Sequence, residues 1–141
     1  MQTGRGRKDR SQLGGNPLNK TVLAYTAGLF DGEGCIRYRG TEVVHITSCY
    51  PHHLRKISEY FNVGRVRCIR DSRPNTRTAW RLEMSGKDAR SFIEQIRPYL
   101  LEKAYQADIM LTIRKLPHNS LTRARAIEEL STAKRIEYGP S

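Results

Sequence analysis

The sequence predicts an α+β fold: one four-stranded antiparallel sheet with helices packed on one face, in the order αββαββα. Two observations carry this. Two pairs of short segments alternate apolar and polar residues, as half-buried strands do, and each pair follows a run with helical apolar spacing. The length, 141 residues, fits one domain with a modest core.

The first helix is expected from about Leu18 to Gly32. Leu23, Ala27 and Phe30 supply bulk on one side, while Ala24, Gly28 and Gly32 recur at i, i+4, i+8 and leave a narrow face nearly bare. Two strands follow, 34–39 and 42–48, joined at Gly40-Thr41; Arg37 and Arg39 share one face of the first, Ile36 and Tyr38 the other. Pro51, favoured at a first helical position, opens a second helix with the stripe Leu54, Ile57, Phe61, and Asn62 begins its stop. The second strand pair reads as 64–70 and 78–84. Val66 and Cys68 oppose Arg65 and Arg67, and Trp80, Leu82 and Met84 oppose Ala79, Arg81 and Glu83. The segment between, 71–77, is too long for a tight hairpin. Ser85 and Asp88 resemble a capping box opening a third helix with the stripe Phe92, Ile93, Ile96, Leu100. Helices at about 102–115 and 121–136 complete the chain, the last amphipathic and basic. The expected division is a basic flexible arm over 1–18, the main domain over 19–117 and a C-terminal helical extension over 118–141.

Charge narrows the function. Lys and Arg number 25 against 14 Asp and Glu, a net charge of +11. Such an excess favours polyanions, chiefly nucleic acid, because phosphate contacts release counterions. A sheet covered on one side leaves its other face open. Arg37, Arg39, His45, Arg65, Arg67 and Arg81 fall there, with Arg70, Arg73 and Arg77 at and within the 71–77 loop. Solubility alone would be served by Lys and Glu of mixed sign. Guanidinium groups on a two-stranded ribbon suit phosphates and base edges in a major groove.

Cys35, Cys49 and Cys68 have no metal-binding spacing and read as reduced thiols of an intracellular protein. No run approaches the apolar length of a membrane helix, and the basic N-terminus lacks the apolar segment of a secretory signal, so the chain is expected to be cytoplasmic, nucleoid-associated or organellar.

The most informative stretch is Thr26-Ala27-Gly28-Leu29-Phe30-Asp31-Gly32-Glu33-Gly34, which sets two carboxylates among glycines at a helix end. Glu33 is expected just beyond the helix, where the dipole is negative and a cation is favoured. Mg²⁺ takes oxygen ligands and keeps several waters, so one carboxylate and a backbone carbonyl suffice.

This stretch resembles the motif of the LAGLIDADG homing endonuclease family, with Thr26 in place of its first Leu. The resemblance extends over 20–116 and includes Gln95-Ile96-Arg97-Pro98-Tyr99-Leu100-Leu101-Glu102-Lys103-Ala104-Tyr105-Gln106-Ala107, similar to the second half of single-motif members. It implies a saddle-shaped sheet that reads a long double-stranded DNA site. It also implies a motif helix that packs against its twin, and acids that meet over the scissile phosphates. Glu33 then matches the metal-binding acid, with the Gly32 carbonyl as second ligand for Mg²⁺ or Mn²⁺. Asp31 matches the preceding acid, a structural support at the helix contact formed by Ala24, Gly28 and Gly32. Lys103 matches a lysine near the reactive phosphate, with Gln106 in the same shell. Ser48 and His52 match polar and basic positions beside the water network. One motif per chain implies a homodimer and a pseudo-palindromic target.

The implied activity is site-specific cleavage of both DNA strands. A non-cleaving DNA-binding regulator or an RNA-splicing maturase on the same fold is the alternative, and RNA is a partner only under the latter. A basic ribosome-associated protein would explain the charge but not the motif. The genetic setting, intron, intein or free-standing gene, stays open.

Overall fold

The computed structural model describes residues 19–69 and 78–137. The arm at 1–18, the loop arginines Arg70, Arg73 and Arg77, and the last residues lie outside them. The elements run α1 (Lys20–Glu33), β1 (Gly34–Tyr38), β2 (Glu42–Ser48), α2 (Pro51–Phe61), β3 (Arg65–Ile69), β4 (Ala79–Ser85), α3 (Gly86–Ile96), a 3₁₀ turn (Arg97–Tyr99), α4 (Ala104–Ile113) and α5 (Leu121–Glu137). The sheet order is β1-β2-β4-β3, with every neighbouring pair antiparallel. This is the expected α+β arrangement.

Alternation along the strands sorts the two faces as the sequence does. Ile36, Val44, Ile46, Leu82 and Met84 are buried against helices. The helices meet them with stripes at helical spacing: Leu23, Thr26, Ala27 and Phe30 on α1, Leu54, Ile57 and Phe61 on α2, and Ala89, Phe92, Ile93 and Ile96 on α3. Phe92 is the hub. Its ring meets Phe30 at 6.0 Å and Phe61 at 5.0 Å, both edge-on. Edge-to-face rings add stability beyond their buried area, so three helices from distant parts of the sequence lock at one point.

Asn19 caps α1, its side-chain oxygen accepting from the Thr21 and Val22 amides. Asn62 stops α2 in the left-handed region at φ 55°, a conformation asparagine tolerates. The Ser85 capping box does not form. Ser85 makes no side-chain cap bond, because it is still a strand residue paired with Val43 and is followed by a left-handed Gly86 at φ 58°. The helix expected at 102–115 is the shorter α4.

A buried ion pair went unforeseen. Glu42 starts β2 on the helix-facing side, is fully buried, and accepts from Arg90 of α3 at 3.0 Å and from the Thr41 hydroxyl at 3.2 Å. Burial of that acid without Arg90 would be strongly unfavourable. Helix α5 packs against α4 and the edge strand β1. Its Arg123 donates to the Tyr38 hydroxyl at 2.8 Å, and Tyr105 of α4 donates to Glu129 of α5. No helix among the described residues is long and apolar enough to cross a membrane.

Candidate active site

The C-terminal end of α1 gathers the motif's polar groups. Gly34 follows the helix in extended backbone, its N–H donating to the Phe30 carbonyl. Its lack of a side chain is steric: a Cβ there would lie 2.2 Å from the Phe30 ring. The motif's last glycine therefore lets β1 leave the helix directly over the aromatic core. Glu33 is the last residue of α1 rather than a residue beyond it, and it is exposed.

Asp31 is committed within the chain. Its two carboxylate oxygens accept the Leu101 and Lys103 amides, each at 2.9 Å. Its backbone carbonyl accepts Lys103 Nζ at 2.7 Å. Lys103 is 2% exposed. A buried ammonium needs oxygen partners, and the carbonyls at the negative end of a helix supply one. The segment bearing Lys103 is also braced across its base. Arg97 before it and Asp108 after it form a two-pronged ion pair at 2.5 and 2.7 Å. That hydrogen bonding, reinforced by charge attraction, holds the Asp108 carboxyl below the usual carboxylate range and Arg97 above its own. Gln106, one turn into α4, is fully buried.

The other candidates sit further along the chain. Ser48 ends β2 on the helix-facing side, and its hydroxyl accepts the Tyr50 amide at 3.1 Å. His52 is exposed in the first turn of α2. Gly32 is exposed, as are Ala24 and Gly28 on the same helix face. A Cβ at Gly28 or Gly32 would meet nothing within 4 Å.

Among the described residues no group of three or more His, Cys, Asp and Glu is placed to hold a metal. One chain offers the Glu33 carboxylate and the carbonyls of the helix end. These hard oxygen donors suit Mg²⁺ with water in its remaining positions.

The open face of the sheet carries the cationic residues in register. One cross-strand row runs Cys35, His45, Glu83, Arg65, and the next runs Thr47, Arg81, Arg67. Arg37 lies one position along from Cys35 on that face, and Arg39 is exposed just past β1. Arg81 Nε donates to Thr47 Oγ1 at 3.3 Å, and Arg67 donates to Glu83 Oε1 at 3.3 Å. His45 differs from expectation: it is only 8% exposed, and neither ring nitrogen has a hydrogen-bond partner among the described residues. Thr47 and Glu83 were not singled out as site residues from the sequence. Strand parity alone would have placed both beside the arginines.

Comparison with known proteins bears on this arrangement. A family model described as a LAGLIDADG-like domain matches residues 20–97. A search of curated proteins returns no match. Among solved structures, the homing endonuclease I-CvuI in complex with its target in the presence of Ca superposes with a TM-score of 0.66 at 22% identity, covering 84% of this chain and 85% of that one. The same enzyme with the I-CreI target and Mg, in which the DNA is not cleaved, gives 0.66 at 21% over the same shares. The archaeal intron-encoded homing endonuclease I-Vdi141I complexed with DNA gives 0.62 at 15%, covering 86% and 87%. With more than half of its length matched by the family model, and one glycine-acid motif at the end of α1, the chain belongs to the LAGLIDADG homing endonuclease family as a single-motif member.

Proposed function

We propose that this chain is a site-specific endonuclease that hydrolyses both strands of a long pseudo-palindromic DNA site as a homodimer with a divalent metal, Mg²⁺ or Mn²⁺. The observation that carries the reading is the division of labour at the end of α1. Asp31 and Lys103 are locked to each other within the chain, while Glu33 stays exposed beside a helix face that its own chain leaves uncovered. A twin helix on the Ala24–Gly28–Gly32 face would bring two such acids together. Both relatives named above were studied with DNA, and I-CvuI with Ca or Mg, which supports the duplex and the metal.

Glu33 and the Gly32 carbonyl would hold the metal. When bound it supplies charge neutralisation at the phosphate and an activated water. Lys103, anchored on Asp31, would set a positive charge against the developing negative charge on the phosphate. Ser48, His52 and Gln106 would order the surrounding water. Arg37, Arg39, Arg65, Arg67 and Arg81 would lie against the duplex, with Arg70, Arg73 and Arg77 extending the contact and the buried His45 beneath them. The endonuclease unit spans 19–117, with 118–141 an added helical extension, and it acts inside the cell.

The test is incubation of the full chain with a randomised plasmid library and Mg²⁺, then with Mn²⁺. Linear product cut at one recurring sequence is expected. Glu33→Gln should bind the same site and leave it whole. Binding without cutting under either metal would reject the enzyme in favour of a DNA-binding regulator or maturase.

A further inference from the structure

Glu83 is out of place on the open face. Among the described strand residues there, it is the one carboxylate, opposite Arg65 on one side and His45 on the other, and bonded to Arg67. A carboxylate facing a polyanion lowers affinity at every sequence. Fold stability gives little reason to keep it, because Arg67 is 63% and Glu83 35% exposed, and ion pairs that wet contribute little. Nor is an acid needed merely to hold an arginine. The neighbouring Arg81 is held by the neutral Thr47 hydroxyl at the same 3.3 Å.

We propose that Glu83 is a specificity-determining residue: with Arg67 it forms a side-by-side donor and acceptor that reads one G·C pair in each half of the target. The inference rests on the duplex reading above. In the major groove guanine shows two acceptors, O6 and N7, and its partner cytosine shows the N4 amino donor. The Arg67 guanidinium matches the first and the Glu83 carboxylate the second. Set against an acceptor edge, the same carboxylate repels, so it discriminates by penalty as well as by contact. The competing explanation is that Glu83 only offsets repulsion between Arg67 and Arg81, which face each other directly across β3 and β4. The two accounts differ in their readout: charge offset acts on all sequences alike, and base reading acts at one position.

The experiment selects duplexes from a fully randomised pool by retention on the full chain in Ca²⁺. The wild-type chain should enrich a site with a G·C preference at a position repeated in both halves. Glu83→Gln and Arg67→Ala should each lose that preference by roughly tenfold or more, with other positions unchanged. Glu83→Asp, which keeps the charge but draws it back from the base, should lose it too. An unchanged preference profile in Glu83→Gln, or an affinity change uniform over all sequences, overturns the inference and leaves the duplex reading standing. A wild-type chain that enriches no site at all overturns the duplex reading itself.

Discussion

Thr26 is where this chain departs from its family motif, and the departure has a calculable effect. The residue is fully buried, and its hydroxyl has no hydrogen-bond partner among the described residues. It lines a groove of about 500 Å³ with Val22, Tyr25, Ile57 and Tyr60. Thr26→Val keeps the shape and the β-branch and removes only the hydroxyl. Relief of a buried unsatisfied group is worth about 1–3 kcal/mol. Thr26→Leu adds a methylene-sized apolar increment at the floor of the groove, about 0.8 kcal/mol, and a few tenths from better helix propensity. The expected gains are therefore about 1–3 kcal/mol for Val and about 2–4 kcal/mol for Leu. At about 2–4 °C per kcal/mol for a chain of this size, Leu should raise Tm by roughly 4–16 °C. Thermal melts at one fixed protein concentration measure this, since self-association makes Tm concentration-dependent. A neutral or destabilising Thr26→Val would refute the reasoning, because it would show that the hydroxyl has a partner in solution. A gain for Val with a loss for Leu would locate the error in the groove volume instead.

Three further outcomes follow from the site. Lys103→Met should abolish DNA cutting and leave DNA binding intact, while the lost bond to the Asp31 carbonyl lowers stability by about 1–3 kcal/mol; cutting at the wild-type rate would remove Lys103 from the chemistry. Gly28→Leu should leave the fold intact or raise its stability by up to about 1 kcal/mol, since a helical glycine is unfavourable and nothing in the chain crowds its Cβ. The same variant should weaken self-association in sedimentation, and unchanged association would reject the glycine face as the dimer contact. Arg97→Ala should raise the Asp108 carboxyl in an NMR titration, because the Arg97 hydrogen bond is what lowers it. A depressed carboxylate contributes stability above its unfolded value and loses it as pH falls through the folded one. The stability gap between wild type and variant should therefore be present at neutral pH, under about 1 kcal/mol for so exposed a pair, and close below about pH 4; a gap unchanged at pH 3 would contradict it.

The strands were legible because strand parity is a local rule. Leu82 and Arg81 fall on opposite faces whatever lies around them, and a one-residue slip would have buried the arginines. The glycine-acid motif was legible for a similar reason: its spacing fixes a helix face. Contacts distant in sequence were not legible. Nothing near Lys103 announces that its ammonium bonds a carbonyl 72 residues earlier, or that Arg90 closes over Glu42 across 48 residues. Local signals also misled where two elements compete for one residue. Ser85 and Asp88 have capping-box spacing, but the sheet claims Ser85 first. His45 sits on the face its parity assigns, yet packing has closed over the ring, and parity carries no information about depth.

The two motif acids show how one helix end can serve structure and chemistry together. Asp31 and Glu33 are two residues apart, so about 200° of helical rotation separates them. One must face its own chain if the other faces out. The inward position goes to the shorter acid, whose two oxygens fit a pair of backbone amides spaced two residues apart. The same binding draws Lys103 onto the helix terminus, where the ammonium offsets the negative end of the dipole and lets the helix stop at the surface. Glu33, the longer acid, is thereby left outside with the helix-end carbonyls and a lysine held close behind it. Under the proposed function that arrangement would be half of a phosphodiester site: one carboxylate per chain, set at the end of a helix whose bare face a second copy would cover. Exchanging the two acids would not preserve it, because a glutamate at 31 would overreach the amides of Leu101 and Lys103 and release the lysine from its anchor.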